Sequence, residues 1–243
     1  MPETVLKHVL QYAGYGLEVT LLITLVMRGY TRSLTALVAY VVTLFGADAV
    51  VRPWALFKYG QSSREYFNAY WLTDLLLVFA TFLLICAFFR RACHQQGPRS
   101  WPFVWPVLVS SLVMVAAVSG ADFRHHYPKL FKGNYIWEFN QNLGFTCLVL
   151  TTVLYVMLQG IKKKDGQLQL LVCGLGIQFA GPTANCALVH LTAGSQGPVQ
   201  LLTYFSPVCS LAMLGIWLYA VAHERRAIRQ APIVRGRRVP VAA

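Results

Sequence analysis

Four carboxyl groups fall within or at the ends of long apolar runs: Glu18, Asp48, Asp74 and Glu138. A charged side chain in hydrocarbon costs about 2.5–3.5 kcal/mol on insertion scales, so such a residue is expected to face the interior of a bundle and to have a partner. Arg52 follows Asp48 by four residues, one helical turn. It can pair within its own helix or reach across to Asp74 or Glu138, and the spacing leaves both open. Uncharged polar residues accompany the acids: Gln11 and Tyr15, Asn68 and Tyr70, Gln141 and Asn142, Asn185 and His190, Gln200 and Tyr204. Residues three, four or seven apart share a helix face. Gln11, Tyr15 and Glu18 therefore form one stripe, Tyr66, Tyr70 and Asp74 a second, and Asn134, Glu138, Gln141 and Asn142 a third. Carboxylates, amides and phenols without an activated nucleophile point to holding a cation or a hydrogen-bond donor, or to proton uptake. The candidate binding set is Glu18, Asp48, Arg52, Asp74, Glu138, Asn142, Asn185 and Tyr204. The competing reading is a set of interhelical hydrogen bonds that only orders the helices, each worth roughly 0.6–2 kcal/mol.

Other chemistries lack a starting residue. No HExxH, GxSxG or P-loop pattern occurs, so enzyme activity is a minority reading. No lysine follows Lys164, which excludes a retinal Schiff base in a last helix. His8, His125, His126 and His190 have no metal-ligand spacing, and a membrane haem would need histidine pairs within helices. Of the cysteines, Cys86, Cys147, Cys173, Cys186 and Cys209 lie in apolar runs, Cys93 lies outside them, and none is in a CxxC pair. They read as small apolar residues, and neither metal nor cofactor is expected.

The elements that position the acids are read from the apolar runs. The 243-residue chain is 56% hydrophobic and 12% charged, with a mean hydropathy of +0.52, where a soluble domain carries about 25% charged residues. A helix needs about 20 apolar residues to cross the roughly 30 Å hydrocarbon core. Seven segments meet this: Val9 to Met27, Leu34 to Val51, Phe67 to Phe89, Phe103 to Val118, Tyr135 to Leu158, Leu168 to Leu191 and Val199 to Ala222. Runs such as Leu75 to Phe89 are continuously apolar, which a membrane β-strand would not be. The expected fold is all-α: an integral membrane bundle of seven transmembrane helices spanning residues 1–222, followed by a basic tail, 223–243, with too little apolar content to fold alone. Gly181-Pro182 and Ser206-Pro207 predict bends in the last two helices. Those prolines have no counterparts in the second and third helices, which weakens an inverted-repeat transporter reading.

The formal charge of +12 is distributed between apolar runs and in the tail rather than along one face, so no nucleic-acid partner is expected. One set of loops, with the tail, holds fourteen Lys and Arg residues and the opposite set seven, including Arg52. By the positive-inside rule the first set is cytoplasmic, the N-terminus is outside and the C-terminus is in the cytoplasm. Residues 52–65 and 122–134 read as amphipathic turns at the outer interface, and Trp101, Trp105 and Trp137 as interfacial anchors. The tail reads as a clamp on anionic lipid headgroups. The first apolar run is long enough to stay as a helix, and no processing is expected.

The stretch Tyr66-Phe67-Asn68-Ala69-Tyr70-Trp71, the run ending Phe88-Phe89-Arg90-Arg91, and Ile216-Trp217-Leu218-Tyr219 together resemble a group of uncharacterised seven-helix membrane proteins abundant in acidobacterial genomes. The resemblance implies the architecture and a bacterial inner (cytoplasmic) membrane. It carries no functional residue with it.

The acids lie in the outer half of the expected bundle, or at its floor in the case of Glu18, while the inner halves are mostly Leu, Val, Phe and Ala. The leading expectation is a receptor- or sensor-like binding module. A small cationic or hydrogen-bond-donating ligand would enter from outside, and a membrane or cytoplasmic protein partner would contact Arg90, Arg91 and Lys162 to Lys164. A proton- or cation-coupled small-solute transporter would use the same carboxyls as titrating sites. A non-catalytic accessory subunit would use them only to order its helices.

Overall fold

The computed structural model describes the backbone of residues 2–29, 34–60, 63–96, 101–126, 133–161, 165–191 and 198–230; within these, the side chains of 2–5, 7, 96, 101–103, 118–126, 133–138, 182–191, 198–204 and 224–230 lie outside the described residues. The elements are α1 (Pro2–Met27), α2 (Thr35–Phe45), a π-helical segment (Gly46–Val51), α3 (Arg52–Tyr59), α4 (Arg64–Gln96), α5 (Trp101–His126), α6 (Gly133–Gln159), α7 (Gly166–Leu191) and α8 (Pro198–Gln230). No strand occurs among the described residues. The segment α2–π–α3 is one continuous rod, so the described residues form seven helical rods.

Among the described residues, five stretches are long and apolar enough to cross a membrane: His8–Met27, Thr35–Tyr59, Arg64–Gln95, Phe139–Gln159 and Phe205–His223. Of the fourth and sixth expected segments, the described side chains cover only Val104–Ala117 in α5, an apolar stretch, and 166–181 in α7. The surface that the rods turn outward is apolar: Leu72 is 66% exposed, Met114 68% and Val156 62%. A water-soluble monomer does not carry such faces over most of its helices, whereas lipid covers them at no cost.

Helix ends follow local chemistry. Gly29 and Gly60, with φ of +69° and +75°, end α1 and α3 in the left-handed region that a glycine enters without strain. The Gly60 N–H still reaches Leu56 O at 3.0 Å. Ser63 Oγ accepts the Tyr66 N–H at 3.1 Å at the start of α4, and Asp165 Oδ1 accepts the Leu168 N–H at 3.1 Å at the start of α7. Both are side-chain caps on otherwise unsatisfied first-turn donors.

Two boundaries differ from the sequence expectation. The second segment does not stop at Val51 with an interfacial turn after it, because the helix continues to Tyr59. Pro53 causes this. A proline inside a helix lacks the N–H and crowds the carbonyl four residues back, and widening the turn to π geometry removes the crowding without breaking the rod. The Arg52 N–H accordingly bonds Ala47 O, five residues back, instead of Asp48 O. At the other end of the chain, helix α8 runs to Gln230, so the first residues of the basic tail continue it. Residues 231–243 lie outside the described residues.

The rods α1, α2–α3, α4, α6, α7 and α8 pack in a closed ring, and α5 lies outside it, mainly against α6. The largest contact is between α7 and α8, and small residues set it. An added Cβ at Gly174 would lie 2.6 Å from Trp217 Nε1, and one at Gly181 would lie 2.9 Å from Cys209 Sγ. Close approach of this kind is how helices associate where apolar burial provides no drive. Trp217, fully buried, donates from Nε1 to Leu171 O at 2.9 Å and meets Tyr40 edge-on with centroids 5.6 Å apart. Cys93 is buried, as are Cys147 and Cys209; Cys86 is partly buried and Cys173 exposed, and all five are free thiols. Cys186 lies outside the described side chains.

The end of the bundle that holds Arg28 and Arg91 is not purely apolar. Arg28 donates from Nη1 to Val221 O at 2.5 Å and Ala222 O at 2.9 Å, tying α1 to α8. Arg91 pairs with Asp165 at 2.9 Å and reaches Gln167 Oε1 at 3.1 Å, and Gln95 also donates to Asp165, at 2.8 Å. Arg91 is therefore an internal tie between α4 and the start of α7, whereas Arg90 beside it is exposed. Lys162, Lys163 and Lys164 lie outside the described residues.

Candidate functional site

The π segment sets up the site. With the Arg52 N–H on Ala47 O and no N–H on Pro53, the carbonyl of Asp48 has no amide donor in its own helix. The Tyr15 hydroxyl donates to it at 2.9 Å from α1, and the same hydroxyl accepts Gln11 Nε2 at 2.7 Å. The wider turn thus costs no unsatisfied backbone group, and it fixes α1 against the π segment at the level of Asp48. At about 1.5 Å per residue, Asp48 stands about 20 Å from Thr35, and Tyr15 about 18 Å from Met27. Because α3 extends the rod to Tyr59, Asp48 lies near the middle of its span and not at the outer end, as the sequence had placed it.

Arg52 is the centre of the arrangement. Its Nη1 lies 2.6 Å from Asp48 Oδ1, its Nη2 3.4 Å from Asp74 Oδ1, and its Nε 3.3 Å from Thr73 Oγ1. Its Cζ sits over the Tyr70 ring, 4.6 Å from the centroid. Both pairings open from the sequence therefore occur together: one turn back on its own rod and across to α4. The side chains of Arg52, Asp48 and Asp74 are 23%, 28% and 32% exposed, so the group is partly open. Asp74 Oδ2 accepts Asn140 Nδ2 from α6 at 2.5 Å. The network thereby joins α1, the π segment, α3, α4 and α6.

The network is not closed. Glu18, one turn beyond Tyr15 on α1, is 4% exposed, within electrostatic reach of Asp48, and its Oε2 has no hydrogen-bond partner. Asn140 Oδ1, beside Asp74, is also buried and without a partner, and so is the donor Trp71 Nε1. Buried polar groups are nearly always paired, since each one left unmade costs about 1–3 kcal/mol. Asp48 and Asp74 share the guanidinium of Arg52, and a third carboxyl, Glu18, lies within electrostatic reach of Asp48, an excess of carboxyl groups and of acceptors over the one cation. Such a site favours an occupant that brings positive charge and N–H or O–H groups. Among the described residues no group of three His, Cys, Asp or Glu side chains converges as metal ligands would.

Of the residues singled out from sequence, Asp48, Arg52 and Asp74 come together, and Glu18 lies within electrostatic reach of Asp48. Asn142 is partly buried on α6, two residues beyond Asn140, and its carbonyl accepts the Thr146 hydroxyl at 2.9 Å. The side chains of Glu138, Asn185 and Tyr204 lie outside the described residues. Asn140, Thr73 and the Tyr15–Asp48 carbonyl bond were missed. The signal for the last was present, since a proline directly after Asp48-Ala49-Val50-Val51-Arg52 in an apolar run marks either a helix end or a released carbonyl. Asn140 was hidden because the polar run from Glu138 to Asn142 occupies more than one helix face, and only packing selects which one meets α4. No protein family, curated protein or solved structure matches this chain.

Proposed function

We propose that this chain is a receptor- or sensor-like membrane binding module, whose ligand is a small cation or hydrogen-bond donor reaching the Arg52 network from outside. The observation that carries the reading is the pairing of excess carboxyl groups with unmet acceptors, Glu18 Oε2 and Asn140 Oδ1, beside partly exposed carboxylates. A network that only ordered helices would gain by closing those bonds. The reading places all seven rods across a bacterial inner membrane. The rods α5 and α7, with 26 residues each, extend about 39 Å and have the length for it. The N-terminus is outside and the C-terminus inside. Ligand binding biases the packing of α4 against α3 and α6, and a protein partner on the cytoplasmic side reads the change.

The test is thermal unfolding of the purified protein across a panel of amines, inorganic cations and polar solutes. At least one is expected to raise the midpoint, and Asp74→Asn to remove the rise. A panel without any stabilisation, or an unchanged response in the variant, rejects the reading.

One observation favours a second reading, a proton- or cation-coupled carrier: the rod α2–π–α3 is irregular at the depth of the acids, as in carriers that place ion sites at interrupted helices. Gradient-driven uptake into proteoliposomes selects it.

A further inference from the structure

We infer that Arg52 occupies the ligand position of this site as a built-in competitor, and that the ligand class it stands in for is a guanidinium compound. The inference rests on the binding-module reading and names the ligand chemistry of the same site. The shape of the surroundings carries it. Acceptors lie on three different nitrogens of the Arg52 fork, namely Asp48 Oδ1 at 2.6 Å, Asp74 Oδ1 at 3.4 Å and Thr73 Oγ1 at 3.3 Å, and the Tyr70 ring covers the flat face at 4.6 Å. Acceptors around the edge and an aromatic ring beneath suit a planar, forked cation and not a spherical one. The carboxylates stand a guanidinium width apart and do not converge as on a metal ion.

The hold on Arg52 is uneven. The Asp48 arm has the length of a charge-assisted bond, whereas the Asp74 arm is well beyond the usual 2.7–2.9 Å. Arg52 can therefore leave Asp74 and keep Asp48, one turn back on its own rod. A ligand arriving at Asp74 Oδ1 would also find Asn140 Oδ1, which is buried, unpartnered and on the amide that already binds Asp74. Glu18 Oε2, nine-tenths buried and unpartnered, lies within electrostatic reach of Asp48, the carboxyl with which Arg52 remains. Displacement gives up the long Asp74 contact, the Thr73 contact and the stacking on Tyr70, all three on α4, and so releases the link between α3 and α4, while the ligand's N–H groups meet Asp74 Oδ1 and Asn140 Oδ1.

The test is competition by the chain's own arginine. Thermal unfolding of the full-length protein in detergent is followed with methylguanidinium, methylammonium and tetramethylammonium, for wild type, Arg52→Ala, Arg52→Lys and Arg52→Ala/Asp74→Asn. Removing the internal competitor is expected to tighten the apparent Kd for methylguanidinium roughly tenfold or more, as when a binding-competent state goes from a minor to the major population. Tetramethylammonium, which has no N–H, is expected to have no effect, and the double variant to lose the gain. Arg52→Lys keeps the charge but cannot fork, so it is expected to show the same preference more weakly, and it decides the matter if Arg52→Ala does not fold. No gain for methylguanidinium in either Arg52 variant, or an equal gain with tetramethylammonium, overturns the inference. A wild type stabilised by some other amine, with no gain in the variants, rejects the guanidinium assignment and leaves the binding-module reading standing. A gain in the variants with no wild-type ligand does the reverse.

Discussion

Tyr15→Phe removes a single hydroxyl, and the consequences can be worked from the helix geometry. In an α-helix the carbonyl of Asp48 would accept from the Arg52 N–H. Here that N–H goes to Ala47 O, and the next residue, Pro53, has no N–H to offer. The Tyr15 hydroxyl at 2.9 Å then satisfies a carbonyl that its own helix leaves without a donor. Interhelical hydrogen bonds in membrane proteins average about 0.6 kcal/mol with a maximum near 1.7. This one belongs toward the upper end, because the abandoned carbonyl has no helical donor to fall back on, and a loss of about 1–2 kcal/mol is expected. The reasoning makes a second, sharper statement. Pro53→Ala restores an N–H at the position from which a π turn would reach Asp48 O, so Tyr15→Phe should cost at most half as much in that background. Equilibrium unfolding of the four proteins by titration with SDS in mixed micelles gives the coupling energy directly. An equal cost of Tyr15→Phe in both backgrounds, or no cost in either, would show that the released carbonyl does not control this contact.

Three further outcomes follow from the same geometry. Gly174→Ala places a Cβ 2.6 Å from Trp217 Nε1 and 3.5 Å from Met213 O. It is expected to destabilise by about 1–3 kcal/mol from overpacking, in the same unfolding assay, and Trp217→Phe to relieve part of it; an unperturbed Gly174→Ala would refute the tight α7–α8 approach. Glu18→Leu replaces a buried carboxyl with an unmet oxygen by an apolar group, and is expected to raise the unfolding midpoint by the equivalent of about 1–3 kcal/mol while abolishing stabilisation by cations. A destabilised Glu18→Leu protein would mean that the carboxyl has a structural partner. Asp165→Asn removes the Arg91 ion pair and weakens the cap on the Leu168 N–H. It should increase hydrogen exchange at the start of α7 by an amount equivalent to about 1–2 kcal/mol and leave the Tyr15 contact unchanged, and protection equal to wild type would count against the tie.

Much of the architecture was legible because apolar length and charge are local properties of the chain. Continuous runs such as Leu75 to Phe89 can only be helix in lipid, and carboxyls within such runs must turn inward. That reasoning placed Glu18, Asp48, Arg52 and Asp74 in one region; Arg52 pairs with both Asp48 and Asp74, and Glu18 lies within electrostatic reach of Asp48. The same reasoning failed at Pro53, where a local signal for ending a helix was overridden. There the rod accommodates the proline by widening its turn. Arg91 looked like a free cytoplasmic charge because nothing in its neighbourhood along the chain shows Asp165, 74 residues away, packing against it.

The sequence by itself determined that the chain is a helical membrane bundle with acids in its interior, because those facts depend on how many apolar residues follow one another. Only the tertiary structure decided how the acids are used. Whether Arg52 pairs with Asp48, with Asp74 or with both depends on the distance between two rods. Whether Asn140 or Asn142 meets Asp74 depends on how α6 is rotated against α4, which a polar run covering several faces does not encode. The unmet oxygens of Glu18 and Asn140 appear only when every donor around them has been placed. The candidate carboxylates can be read from the chain, whereas the excess acceptors that mark them as a site belong to the packing.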